Sequence, residues 1–323
     1  MEAILSQLHT SFQIRRDAEV TVEANPGTVT REKLAAYRRL GVNRLSIGVQ
    51  SFREDDLRFL GRIHESAEAV RCIEDARAAG FENISIDLIY SLPGQSADAW
   101  RENLRRAVDL SPEHLSAYSL IVEENTPLAR MVASGIVSPN PVDAEAGLYA
   151  MTIEFMERSG FEHYEVSSYA RPGCRSRHNS AYWTHANYIG FGPSAHSFWK
   201  RHGDSQGRRW ANIANISAYV ERLQKEESPV VFEETVTATE LVNERIFLGL
   251  RSTGVDIPGV QREFGVDLFA QREGIVRGMV EEQLAEFDRG LLRLTAKGFL
   301  LCDEIAGRLM LQETSGGRGG ILP

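Results

Sequence analysis

The segment SRHNSAYW, Ser176 to Trp183, sets an imidazole (His178) and a carboxamide (Asn179) beside two large aromatics, Tyr182 and Trp183. Side chains of these types can pack as an aromatic pair over a hydrogen-bonded turn, or they can grip a flat ligand. A second set lies in the first half of the chain. The β-rich runs EVTVEAN (19–25), RLSIGVQ (44–50) and ISIDLIY (84–90) carry Glu23, Gln50 and Asp87 near their C-terminal ends. A parallel strand covered on both faces is nearly all apolar, and a buried carboxylate is costly unless paired. Three polar residues at successive strand ends therefore read as a site at the top of a barrel. The competing reading is solvated strand ends or a structural ion pair.

The elements that must position these residues alternate. HLSAYSLIV (114–122) and YEVSSYA (164–170) complete about five strands. Helical patterns fall between the strands at 30–41, 66–80, 96–111 and 143–160, the first three opening on Ser or Thr caps, with Gly41 and Gly80 closing two of them. Strand–helix–strand repeats with right-handed crossovers build a parallel sheet. From 171 to 199 the period is lost, and the stretch reads as loop with short strands; Gly190, Gly192 and Pro193 suit close backbone approach, and His185 and His196 read as structural. KEESPVVFEE (225–234) resembles a linker. Beyond it, TATELVNERIFLGL (237–250) places Leu241, Val242, Ile246, Phe247 and Leu250 on one helical face. A tight turn, a strand LLRL and a helix capped by Thr295 follow, an order that suggests a winged helix. The reading divides the chain into 1–200, a barrel that includes the His-Asn loop; 201–234, a linker region; 235–312, a helical, winged-helix-like domain; and 313–323, a disordered tail.

Composition narrows the function. The chain has 323 residues, 25% of them charged, with a net charge of −9. An acidic surface repels phosphate backbones, so nucleic acid is a poor partner. Residues 235–312 carry 9 Lys/Arg against 12 Asp/Glu, a net of −3, so the winged-helix-like part reads as a packing module rather than a DNA reader. No apolar run approaches the roughly 18–20 residues that span a bilayer, which leaves room only for peripheral membrane association. MEAILSQLHTSFQIRRD lacks the pattern of a signal peptide; the expectation is a soluble, cytoplasmic protein. The three cysteines, Cys72, Cys174 and Cys302, form neither a disulfide framework nor a CxxC or CxxxCxxC metal motif.

In order along the chain stand VEANPGT, NRLSIGVQSF, ISIDLIYSLPGQ, LSAYSLIVEENTPL, YEVSSYARPG, RHNSAYW and GFGPSAHSF. From about residue 12 to the C-terminal helix the sequence resembles the HemW branch of the radical S-adenosylmethionine (SAM) enzymes, haem chaperones related to oxygen-independent coproporphyrinogen III oxidase. The resemblance implies an α/β fold, a partial (β/α) TIM-like barrel with a helical C-terminal domain. It also implies SAM contacts at Glu23, Gln50, Arg62, Asp87 and Ile121, the last through its backbone. RHNSAYW matches the family's HNxxYW haem motif, which assigns haem binding to His178, Asn179, Tyr182 and Trp183. A neutral imidazole can ligate haem iron, aromatics can cover the macrocycle, and Asn179 can orient the loop or bond a propionate.

The family holds a [4Fe–4S] cluster through CxxxCxxC, upstream of the segment matched by this chain's start. The expectation is a barrel truncated at its N-terminus, with the edge of EVTVEAN exposed and no cluster ligated by this chain, since the three cysteines cannot substitute on spacing. The implied function is a haem chaperone that hands haem to respiratory proteins. The alternatives are a radical SAM coproporphyrinogen III oxidase and an inactive truncated member. Whether the chain is an enzyme stays open, and no catalytic residue is assigned.

Overall fold

The computed structural model describes residues 1–312 and divides into two compact units, Met1–Arg177 and His178 onward. The tail 313–323 lies outside the described residues.

The first unit runs α1 (Glu2–Ser11), β1 (Thr21–Ala24), α2 (Arg31–Arg39), β2 (Arg44–Gln50), α3 (Glu54–Phe59), α4 (Ser66–Ala78), β3 (Ile84–Tyr90), α5 (Ala97–Asp109), β4 (His114–Ser119), α6 (Pro127–Ala133), α7 (Val142–Arg158), β5 (Glu162–Glu165) and β6 (Ser168–Ala170). Among the described residues it forms a six-stranded sheet ordered β1-β2-β3-β4-β6-β5, with β1 and β5 at its edges. The first four strands are parallel, as the alternation requires. The run 164–170, expected as one strand, is instead split between β5 and β6. These are antiparallel to each other, and β6 is antiparallel to β4. Val166 and Ser167 make the turn, and the Glu165 carboxylate accepts the Ser167 N–H at 3.0 Å.

Thr30 and Ser96 cap α2 and α5 as expected, and Gly41 and Gly80 take positive φ just beyond α2 and α4. Ser66 does not cap α4. It is the first helical residue, and Glu65 caps the helix through a reciprocal capping box with Glu68. Leu45, Ile47, Val49, Ile84, Ile86, Leu88 and Leu115 are fully buried, each stabilising the fold by about 2–3 kcal/mol relative to exposure. Across the helical layer, Trp100 Nε1 of α5 donates to Thr152 Oγ1 of α7 at 2.8 Å, so this ring is buried without an unmet donor.

α8 (Arg177–Trp183) starts on the last residue of the first unit. The second unit continues with β7 (His196–Trp199), β8 (Gly207–Asn212), α9 (Ile216–Gln224), β9 (Val230–Val236), α10 (Ala238–Leu250), β10 (Val255–Asp256), α11 (Ile257–Phe264), α12 (Leu268–Glu281), β11 (Ala285–Asp288), β12 (Leu291–Leu294), α13 (Ala296–Phe299) and α14 (Cys302–Leu309). Two readings change here. The aperiodic stretch contains the helix α8. The stretch read as a linker, 201–234, contains β8, α9 and most of β9, and β7-β8-β9 form an antiparallel sheet. Pro229 and the glutamates disguised β9: it is an edge strand whose charged side chains face water. In the C-terminal part β10-β12-β11 pair antiparallel; Val242, Ile246 and Leu250 of α10 are buried in one core, while Leu241 packs in a second with Phe198 and Val236.

Candidate functional site

The sheet of the first unit is two-faced. Leu45, Ile47 and Val49 of β2, Ile84, Ile86 and Leu88 of β3, and Leu115 and Ala117 of β4 form its apolar face. The alternate positions are polar: Arg44, Ser46, Gly48 and Gln50; Ser85 and Asp87; His114 and Ser116. The sequence reading took the strands as apolar on both faces and saw only Glu23, Gln50 and Asp87 as exceptions. The period-2 alternation in RLSIGVQ, ISIDLIY and HLSAYS was the signal for the rest.

Asp87 is the centre of this face. Its carboxylate accepts from Ser46 Oγ at 2.9 Å and from Ser85 Oγ at 3.2 Å, and it is bonded by Ser116. Burial raises its pKa, against the pull of the three serines and of the Arg44 charge. Arg44 is only 4% exposed, and its Nε has no hydrogen-bond partner. Behind Ser85 stand His114 and Tyr164. Ser85 Oγ lies 2.8 Å from His114 Nδ1, and His114 Nε2 lies 2.7 Å from Tyr164 Oη. Burial, with Arg44 nearby, pushes the His114 pKa down to about 3, so the ring is neutral.

The residues picked from sequence take these places. Glu23 is exposed and pairs in register with Ser46, the serine that bonds Asp87. Gln50 is buried and closes β2 with a positive φ of 66° at a register shift. Gly48 makes room for it: a Cβ there would lie 2.7 Å from Gln50 Nε2 and 3.0 Å from Asn25 Oδ1. Glu23, Gln50 and Asp87 thus share one face of three adjacent strands. Tyr118 feels Asp87, Glu165 and Glu23 together, all three raising its pKa behind the larger effect of burial. Arg62 lies in the turn after α3, and its Nε is buried without a hydrogen-bond partner. Ile121, beyond β4, is 73% exposed. No hydrogen bond joins either of these two to Asp87.

In the second unit, α8 turns the HNxxYW spacing into two i,i+4 pairs on adjacent faces, His178 with Tyr182 and Asn179 with Trp183. The His178 and Tyr182 rings meet edge-on at 4.8 Å, and Tyr182 meets Tyr188 at 4.6 Å. Trp183 lines a cleft of about 910 Å³ together with Lys200, His202, Arg245, Arg262 and Phe264. Just past the helix, His185 takes a positive φ and stacks on Phe198 at 4.4 Å. Its Nε2 lies 2.8 Å from Glu244 Oε2. Arg209 reaches the other Glu244 oxygen at 2.5 Å and Glu234 at 2.8 Å. His185 is therefore tied into packing.

The chain matches the radical SAM superfamily over residues 2–107 and the HemN C-terminal domain over residues 236–301. It is 35% identical to the heme chaperone HemW of Bacillus subtilis over 294 residues, covering 91% of this chain and 76% of that one. It is 30% identical to the heme chaperone HemW of Lactococcus lactis, covering 97% and 81%. The chain belongs to the HemW family. Its fold is also that of the radical SAM enzyme coproporphyrinogen III oxidase (HemN) of Escherichia coli. That structure superposes with a TM-score of 0.78 over 95% of this chain and 73% of the other, at 22% identity.

Membership of the radical SAM superfamily implies SAM and a [4Fe–4S] cluster. The polar strand face fits SAM: it offers carboxylate acceptors, and Arg62 Nε is an orphaned donor. Among the described residues no three His, Cys, Asp or Glu side chains gather as a metal-holding group. Burial pushes the Cys72 and Cys302 thiols up to about 11, which disfavours the thiolate a cluster needs. No helix among the described residues is long and apolar enough to cross a membrane.

Proposed function

We propose that this HemW-family chain is a haem chaperone. It holds haem through α8 and yields it to haem-requiring respiratory proteins, working in the cytoplasm with a SAM-binding first unit. The observation that carries the reading is α8 itself. It exposes an imidazole, His178, in T-shaped contact with the Tyr182 ring, which in turn makes a T-shaped contact with Tyr188. A neutral imidazole nitrogen is an axial ligand for haem iron, and the tyrosine faces supply apolar cover for the macrocycle. Asn179 and Trp183 occupy the adjacent helix face. The cleft beside Trp183 carries Lys200, Arg245 and Arg262, cations of the kind that bind propionates. Relatives named as heme chaperones, matched over most of this chain, support the same reading.

For SAM, the proposed contacts are Glu23, Gln50, Arg62, Asp87 and the Ile121 backbone. Carboxylates at Glu23 and Asp87 suit a ligand's ammonium and ribose hydroxyls, and Arg62 suits a ligand carboxylate. These residues would bind and orient SAM.

The test of haem binding is a haemin titration followed in the Soret region. The unaltered chain is expected to bind one haem with a shifted Soret band. His178→Ala is expected to lose that shift and at least tenfold in affinity, about 1.4 kcal/mol or more. An identical spectrum and affinity in the variant would remove His178 as the ligand.

A further inference from the structure

Ser85, His114 and Tyr164 have no role in the reading above, yet they form a continuous buried chain behind Asp87. Ser85 and His114 are 0% exposed and Tyr164 is 4% exposed. The His114 tautomer sets the direction of these hydrogen bonds, and with the proton on Nδ1 they run one way. The Ser176 N–H donates to Tyr164 Oη at 3.3 Å, which fills an acceptor position on that oxygen. Tyr164 then gives its own proton to His114 Nε2, 2.7 Å away. A neutral imidazole that accepts at Nε2 must carry its proton on Nδ1. Nδ1–H donates to Ser85 Oγ at 2.8 Å, and Ser85 has its single proton left for Asp87 Oδ1 at 3.2 Å. In this tautomer each group of the chain spends one donor on the next.

We propose that Ser85, His114 and Tyr164 are positioning residues for Asp87: their one-way relay commits the Ser85 proton to Oδ1 and keeps Asp87 an acceptor-only carboxylate toward a hydrogen-bond-donating ligand. The ligand half of this inference rests on the reading of Asp87 as a SAM contact. The relay also ends on the backbone of Ser176, so the same hydrogen bonds fix the last residues of the first unit. Arg177 adds to this anchor, its N–H donating to Glu19 Oε2 at 2.9 Å and its guanidinium to the Asp17 carbonyl.

Two measurements on the full chain test the relay. The first is the ¹⁵N spectrum of His114 between pH 6 and 8. Protonation at Nδ1 alone is expected, and an Nε2–H ring would overturn the relay. Tyr164→Phe keeps the ring and its packing but removes the proton given to Nε2. It is expected to release the imidazole to the other tautomer.

The second measurement is SAM affinity by calorimetry in a double-mutant cycle. Tyr164→Phe, and separately Ser85→Ala, are expected to weaken binding about three- to tenfold, the worth of one buried hydrogen bond. In an Asp87→Asn background Tyr164→Phe is expected to change affinity less than about twofold, because its effect passes through Asp87. A purely structural tyrosine would give the same loss in both backgrounds, and that additivity would reject the proposal. Should Asp87→Asn itself leave SAM affinity unchanged, the SAM reading of Asp87 falls, while the tautomer of His114 still decides the relay.

Discussion

Glu244→Ala is expected to cost the second unit about 3–5 kcal/mol, the penalty for stripping one partner from a buried charge network. Glu244 lies on α10 beside fully buried Leu241 and Val242, and its side chain is 10% exposed. It joins His185, 8% exposed, to Arg209, 14% exposed. Alanine leaves the guanidinium with Glu234 alone and leaves the imidazole beside an empty space. Glu244→Gln keeps the shape and one acceptor, so it is expected to cost less. Equilibrium unfolding in guanidinium chloride reads both, and equal, negligible losses would mean the network carries no stability. The network also has a pH signature. Burial pushes the Glu244 carboxyl up, but the His185 and Arg209 contacts outweigh it and hold it below its ordinary 4.5. The stability it contributes is therefore complete above about 4.5 and is lost as pH falls through the lowered folded value. Since His185 follows α8 by two residues, the variant is expected to loosen α8 as well.

The second large effect is acid sensitivity of the first unit between pH 7 and 5. Burial holds the folded pKa of His114 at about 3 and that of His163 at about 4, both below the ordinary 6.5. Below pH 6.5 the unfolded chain binds protons at both rings and the folded chain does not, so stability falls as pH falls. Integrated to pH 5, each histidine contributes a loss of about 2 kcal/mol, about 4 for the pair. Asp87 and Glu165 oppose this, since burial raises both and the folded state takes up their protons first. The clean readout is therefore a difference. His163→Gln is expected to lower the pH 7-to-5 loss of the unaltered chain by about 2 kcal/mol in denaturant melts. An unchanged loss would mean that His163 does not stay neutral in the folded state.

Much of the fold was legible from local pattern. β2 and β3 begin and end where their β-branched runs do, because register and burial both follow side-chain alternation. Thr30, Ser96 and Thr295 cap helices because their oxygens meet orphan N–H groups whatever the tertiary setting. α8 was not legible. Seven residues are too few to nucleate a helix alone, and His, Asn, Ser, Tyr and Trp are middling helix formers. Its stability comes from ring contacts such as Tyr182 with Tyr188, which sequence does not announce. β9 hid for a related reason, since glutamates on an edge strand look like a solvated linker. At the candidate sites, strand-end carboxylates could be picked as misfits. The groups that satisfy them could not, because Ser85, His114 and Tyr164 are each ordinary until pairing of β3, β4 and the β5–β6 hairpin brings them together. The same holds for Glu244, which reads as a polar position on an amphipathic helix.

The central claim is that this chain keeps haem rather than converting a porphyrinogen. It is tested most directly by offering the protein haem and coproporphyrinogen III together, anaerobically, with iron, sulfide, reductant and SAM supplied, and then separating protein-bound from free tetrapyrroles. The account predicts haem retained on the protein, dependent on His178, with coproporphyrinogen III recovered unchanged. Protoporphyrinogen IX formed from that substrate, with no haem retained, would contradict it.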